Sequence, residues 1–133
     1  MNIYESAEDY LERILILKQQ QGKVISLDIA TSMGYSKPSV SRAMKNLRLN
    51  GYIVVSENGE IDLTQKGYEI ANKIYERHRI ISSVLMELGI SKEAALKDAC
   101  KIEHDLSEET FNAIKKHYLD NKKWKCSQLS IFL

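Results

Sequence analysis

The stretch from Tyr52 to Leu63 constrains the fold most. Two β-rich runs, Tyr52-Ile53-Val54-Val55 and Ile61-Asp62-Leu63, flank Asn58-Gly59. That dipeptide suits a two-residue type I′ turn, so the stretch is expected to be a hairpin. The residues before it read as helices. Ser26 is the expected cap of a short helix, Leu27–Met33, that stops at Gly34. After the turn Gly34-Tyr35-Ser36, Ser36 caps the next helix, with Pro38 in its first turn, where a missing N–H costs nothing. Val40, Ala43, Met44 and Leu47 form its apolar stripe, and Gly51 ends it. Helix, short glycine-containing turn, helix is the helix-turn-helix pattern. A hairpin directly after its second helix makes a winged helix. Upstream, Ser6-Ala7-Glu8-Asp9 has the form of a capping box. It opens a helix with stripe Ala7, Leu11, Ile14 and Leu15 that stops at Gly22, and Lys23-Val24-Ile25 reads as a short strand.

Net charge is only +1 over 133 residues, so an affinity for nucleic acid would have to come from a local patch. Between Ile29 and Ser56 the charges are Lys37, Arg42, Lys45 and Arg48, with no acid among them. The outward positions of the second helix of the motif are Lys37, Ser39, Ser41, Arg42 and Lys45, with Pro38 beside them. A recognition helix needs such short polar side chains at base edges and cations at phosphates. A basic solvated helix face would look the same; its position in the motif favours DNA. The hairpin carries Glu57, Glu60 and Asp62 and is not expected to grip phosphate.

Thr64 caps a long helix that reaches about Leu88, and Gly89 and Ser91 mark a break. The expected division is a winged helix-turn-helix domain over 1–65 and an all-α domain over 66–133, mainly α with a small β-wing overall. The next helix, about Lys92–Asp105, carries Cys100, Glu103 and His104. Positions i, i+3 and i+4 share a helix face, so a thiolate, a carboxylate and an imidazole come together there. The turn alone leaves two readings open, a metal site or a free Cys beside an exposed Glu-His pair. Asp9 and Glu12 also share a face and repel unless a cation lies between them. His78 in the long helix says little by itself. Ser107 opens a last helix, with Leu106 and Phe111 as a hydrophobic staple. The tail is basic, then apolar, with Cys126 expected to be structural or free.

Two cysteines give no disulfide framework, and the chain shows neither a leader nor an apolar run of membrane-spanning length. A cytoplasmic protein without a membrane partner is expected. No Ser-His-Asp constellation or phosphate-cradling glycine loop is present, so neither an enzyme nor a small-molecule substrate is expected.

Three patches together, Ala7-Glu8-Asp9-Tyr10-Leu11-Glu12, Tyr75-Glu76-Arg77-His78 and Cys100-x-x-Glu103-His104-x-Leu106-Ser107, resemble the diphtheria-toxin-repressor and manganese-transport-regulator family of metal-dependent repressors. The resemblance covers about residues 4–120. It implies a homodimer on palindromic operator DNA, control of metal-uptake genes, and Fe²⁺ or Mn²⁺ held by Asp9, Glu12, His78, Cys100, Glu103 and His104. Zn²⁺ or Co²⁺ could substitute in vitro. The manganese branch has Glu where this chain has Cys100; the iron branch has Cys there but Met in place of Asp9. Ser82 stands where the iron branch has a carboxylate. A thiolate shifts preference toward Fe²⁺, Co²⁺ or Zn²⁺, and its deprotonation makes binding tighten with pH. The rival reading is a metal-independent or redox-responsive winged-helix regulator; a purely structural zinc site fits less well, because such sites favour Cys and His.

Overall fold

The computed structural model describes the backbone of residues 3–132 and the side chains of residues 6–121. It contains six helices and one two-stranded antiparallel sheet in the order α1 (Ile3–Gln21), α2 (Ser26–Met33), α3 (Lys37–Leu49), β1 (Ile53–Val55), β2 (Ile61–Leu63), α4 (Gln65–Glu87), α5 (Lys92–Ile102) and α6 (Glu108–Phe132). The chain divides into two compact units, residues 1–75 and 76–133. The division expected at 65 marks where α4 begins. The first half of α4 belongs with the first unit, because Ala71 is buried in that unit's core and Ile70 and Tyr75 pack against it.

The first unit is a winged helix-turn-helix. Leu11, Ile14 and Leu15 of α1, Ile29 of α2 and Val40, Met44 and Leu47 of α3 form its core, closed by Ile53 and Ile61 from the two strands. Helix α1 has already begun at Ile3, so Ser6 lies inside it and does not cap it. Gly22, with φ +83°, stops it as expected. Residues 23–25 form no strand; a single bond, from Ile61 N–H to the Val24 carbonyl at 2.7 Å, ties them to β2 before the chain turns into α2. Helix α2 starts at Ser26, its expected cap, one residue earlier than expected. Ile25 is the flanking residue, and its N–H donates to the Asp28 carboxylate at 2.9 Å. Helix α3 matches its reading, with Ser36 Oγ accepting from Ser39 N–H and Pro38 in the first turn.

The wing pairs Ile53 with Leu63, Val54 with Asp62 and Val55 with Ile61. Its turn is not type I′. That turn needs positive φ at both central residues, and no non-glycine residue among those described has one. Gly59 alone does, at +81°. Gly59 N–H donates to the Ser56 carbonyl and Ser56 N–H to the Glu60 carbonyl, both at 2.9 Å. Glu57-Asn58-Gly59 is therefore a three-residue loop closed by a left-handed glycine. An ion pair from Lys18 of α1 to Asp62 of β2 pins the wing.

Thr64 caps α4: its Oγ1 accepts from Gly67 N–H at 3.1 Å and donates to the Gly51 carbonyl at 2.7 Å. Gly67 has no room for a side chain. A Cβ at that position would lie 2.0 Å from the Tyr52 carbonyl oxygen.

The second unit comprises the rest of α4, α5 and α6, with Ile80, Ile81, Ala95, Ala99 and Phe111 buried. Ser91 caps α5 and Ser107 opens α6, each accepting from the N–H three residues on. The expectations for Cys126 and the apolar tail concern side chains outside the described ones. No helix among the described residues is long and apolar enough to cross a membrane.

Candidate functional site

Helix α5 ends at Ile102, a turn earlier than its sequence suggests. Glu103 is its C-cap, still donating N–H to the Ala99 carbonyl at 2.9 Å, and His104 lies in the turn beyond. The cause is Arg77. Its guanidinium Nη1 donates to the Glu103 carbonyl at 3.0 Å and to the Leu106 carbonyl at 2.7 Å, and its charge lies 5.1 Å from the Phe111 ring centroid. A buried cation so placed satisfies the carbonyl of the C-cap residue and one at the end of the turn that follows. Sequence reasoning misses Arg77 as a functional residue; its place beside His78 is the available signal.

This turn aims the Glu103 side chain inward, where it has no solvent exposure. Its two oxygens face different imidazoles. Oε2 lies 2.9 Å from His78 Nδ1, and Oε1 lies 3.6 Å from His104 Nε2, beyond hydrogen-bond distance. Cys100 Sγ is 3.8 Å from the same His78 nitrogen, on the exposed edge of the cluster. Donor atoms of His78, Cys100 and Glu103 all fall within 4.8 Å of one another. Ser82 does not join them; its hydroxyl donates to the His78 carbonyl at 2.7 Å.

The cluster's charge is set by proximity. The Cys100 sulfur, then the Glu103 carboxylate, favour the imidazolium of His78. Its pKa is pushed up from 6.5 to about 10, against the opposing effect of burial. A carboxylate, a thiol and an imidazole within one coordination sphere, with Glu103 Oε1 buried and making no hydrogen bond, fit a divalent cation. His78, Cys100 and Glu103 could hold it, and His104 borders the same carboxylate.

Asp9 and Glu12 lie on α1 of the first unit, Asp9 half-buried and Glu12 with 8% exposure. Of the expected DNA-contact residues, Lys37, Pro38, Ser41, Arg42 and Lys45 are exposed on α3. Ser39 is half-buried and bound up in the cap, accepting from Ser36 Oγ at 2.8 Å.

Residues 2–60 match the N-terminal DNA-binding domain of the iron-dependent repressors, and residues 64–124 match their metal-binding and dimerisation domain. The transcriptional regulator MntR of Escherichia coli is 36% identical over 111 residues, 84% of this chain and 72% of that protein. An uncharacterised helix-turn-helix transcriptional regulator of Methanocaldococcus jannaschii is also 36% identical, over 84% of this chain and 90% of its own length. A manganese-dependent transcriptional repressor in complex with manganese superposes with a TM-score of 0.77 at 27% identity, over 84% of this chain. The chain spans about half the length of that structure, 52%. The chain thus belongs to the iron-dependent repressor family of metal-dependent transcriptional regulators.

Proposed function

We propose that this chain is a cytoplasmic, dimeric repressor that binds palindromic operator DNA when it carries Fe²⁺ or Mn²⁺, and that it controls metal-uptake genes. The observation that carries the reading is the buried Glu103 carboxylate, set between two imidazoles with a thiol beside one of them. His78, Cys100, Glu103 and His104 hold the cation, and the family pattern adds Asp9 and Glu12. The bound cation supplies positive charge that cancels repulsion among these carboxylates. Cys100 tilts the preference toward Fe²⁺. Lys37, Pro38, Ser39, Ser41, Arg42 and Lys45 form the DNA face, with the cations of α3 at phosphates and its short polar side chains at base edges. Two such helices related by a dyad read half-sites a helical turn apart, ~34 Å, or a multiple of that.

The test is operator affinity, measured on duplexes selected from genomic fragments, in chelator and in Fe²⁺, Mn²⁺, Co²⁺ or Zn²⁺. A coupled site tightens DNA by ~5–150-fold. Equal affinity under all conditions would falsify the reading. Cys100→Glu should move the preference from Fe²⁺ toward Mn²⁺, and an unaltered metal order would remove Cys100 from the ligand set.

A further inference from the structure

The turn of the helix-turn-helix carries an aromatic contact that neither the metal ligands nor the DNA face uses. Tyr35 lies between Gly34, whose φ is +72°, and Ser36, the cap of α3. The N–H groups of Gly34 and Tyr35 both donate to the Ala30 carbonyl, at 2.9 and 3.1 Å, so the backbone of the turn is fixed to α2. Tyr35 is 51% exposed, yet its ring meets Tyr10 of α1 edge-on, with centroids 6.0 Å apart and planes at 68°. Tyr10 directly follows Asp9. The two rings wall a pocket of about 280 Å³ whose other lining residues are Ser6, Asp9, Met33 and Ser39. One wall inside the first unit thus runs from Asp9 to the first turn of α3.

We propose that Tyr35 is a positioning residue that couples α1 to the start of the recognition helix. An edge-on ring pair is directional, so a shift of α1 that displaces Tyr10 is felt at Tyr35. Tyr35 in turn adjoins the residue that caps α3. The inference rests on the reading of Asp9 as a metal ligand and of α3 as the DNA reader. It adds that the Tyr10–Tyr35 contact carries part of the coupling between metal and DNA.

The experiment compares operator affinity in Mn²⁺ and in chelator for the full chain and for Tyr35→Ala, Tyr35→Leu, Tyr35→Phe and Tyr10→Leu. The ratio of the two affinities should fall ~2–10-fold in Tyr35→Ala and Tyr10→Leu, the range of one edge-on aromatic pair. Combining Tyr35→Ala with Tyr10→Leu should lower it no further, because both changes remove the same contact. Tyr35→Phe, which keeps the ring, should retain the full ratio. Tyr35→Leu keeps apolar bulk without the ring's edge and should lose it, so the test survives if the alanine variant folds poorly. Weaker DNA binding by the same factor in Mn²⁺ and in chelator would make Tyr35 a DNA contact and overturn the inference. An unchanged ratio in every variant overturns it as well. If the unaltered chain shows no metal effect, the proposed function falls first and this inference with it.

Discussion

A carboxylate shut away from water needs a partner charge, and Glu103 takes its own from His78, which is held protonated to about pH 10. In the metal-free protein the stabilisation from this raised pKa is complete below about pH 6.5 and fades as the pH climbs through 10. A cation coordinated by the ring must first displace that proton. Metal affinity should therefore rise with pH across the neutral range, by a factor approaching ~10 per unit for each proton displaced. Calorimetric Mn²⁺ titrations at pH 6.5 and 8.0 in buffers of differing ionisation enthalpy would check both the trend and the proton release. A pH-independent affinity would exclude His78 as a ligand. Arg77 supports the same carboxylate from behind by holding the backbone of its turn. Arg77→Ala should cost about 2–3 kcal/mol in urea unfolding, because it removes charge-assisted bonds to two carbonyls. Metal affinity should fall with it.

At the scale of elements, the caps carry most of the information. Ser36, Thr64, Ser91 and Ser107 each open a helix where the sequence places them, because a hydroxyl three residues before a free N–H is a local device. Ser6 and Ser26 mislead for the converse reason. A hydroxyl that could cap is overruled when the backbone is helical before it, or when an acid downstream, here Asp28, serves the residue in front. The Asn58-Gly59 pair announces a hairpin correctly but not its turn, since register depends on cross-strand partners such as Val55 and Ile61. The end of α5 is illegible for the same reason, because it is decided by Arg77, some 25 residues upstream. Gly67 shows another long-range constraint. Gly67→Ala would push a methyl into the Tyr52 carbonyl and should destabilise the first unit by about 1–3 kcal/mol or more. Lys66→Ala, which removes the cation–π interaction with Tyr52 at 4.4 Å and an exposed bond to the Asn50 carbonyl at 3.3 Å without adding bulk, should cost about 0.5–1 kcal/mol. Paired thermal melts in chelator would separate the two, and equal losses would deny the steric argument.

For the molecule as a whole, charge is local rather than global. The chain is nearly neutral, yet α3 has four cations and no acid, while the wing beside it holds Glu57 and Glu60. DNA affinity should thus depend on salt largely through α3. Arg42→Ala should lower the slope of log affinity against log salt by about 0.9 for each phosphate left without its cation, and leave metal affinity in the DNA-free protein unchanged. A fall in metal affinity would break the assignment of the two tasks to separate parts of the chain. The sequence makes that assignment readable, because the candidate ligands and the basic residues fall in different stretches. It does not show that Glu103 addresses two imidazoles through separate oxygens, which requires knowing where the helix stops. That arrangement leaves the two acidic or sulfur donors of the turn with unequal freedom to change. An amide at 103 would keep an acceptor for the His78 N–H but lose the negative charge that offsets the imidazolium, so the position tolerates little drift. The thiol at 100 stands at the exposed rim, 3.8 Å from His78, where a different donor can reach solvent as well as the ring. On the proposed reading, exchanging the donor at the rim changes which cation fits while the buried acid stays in place.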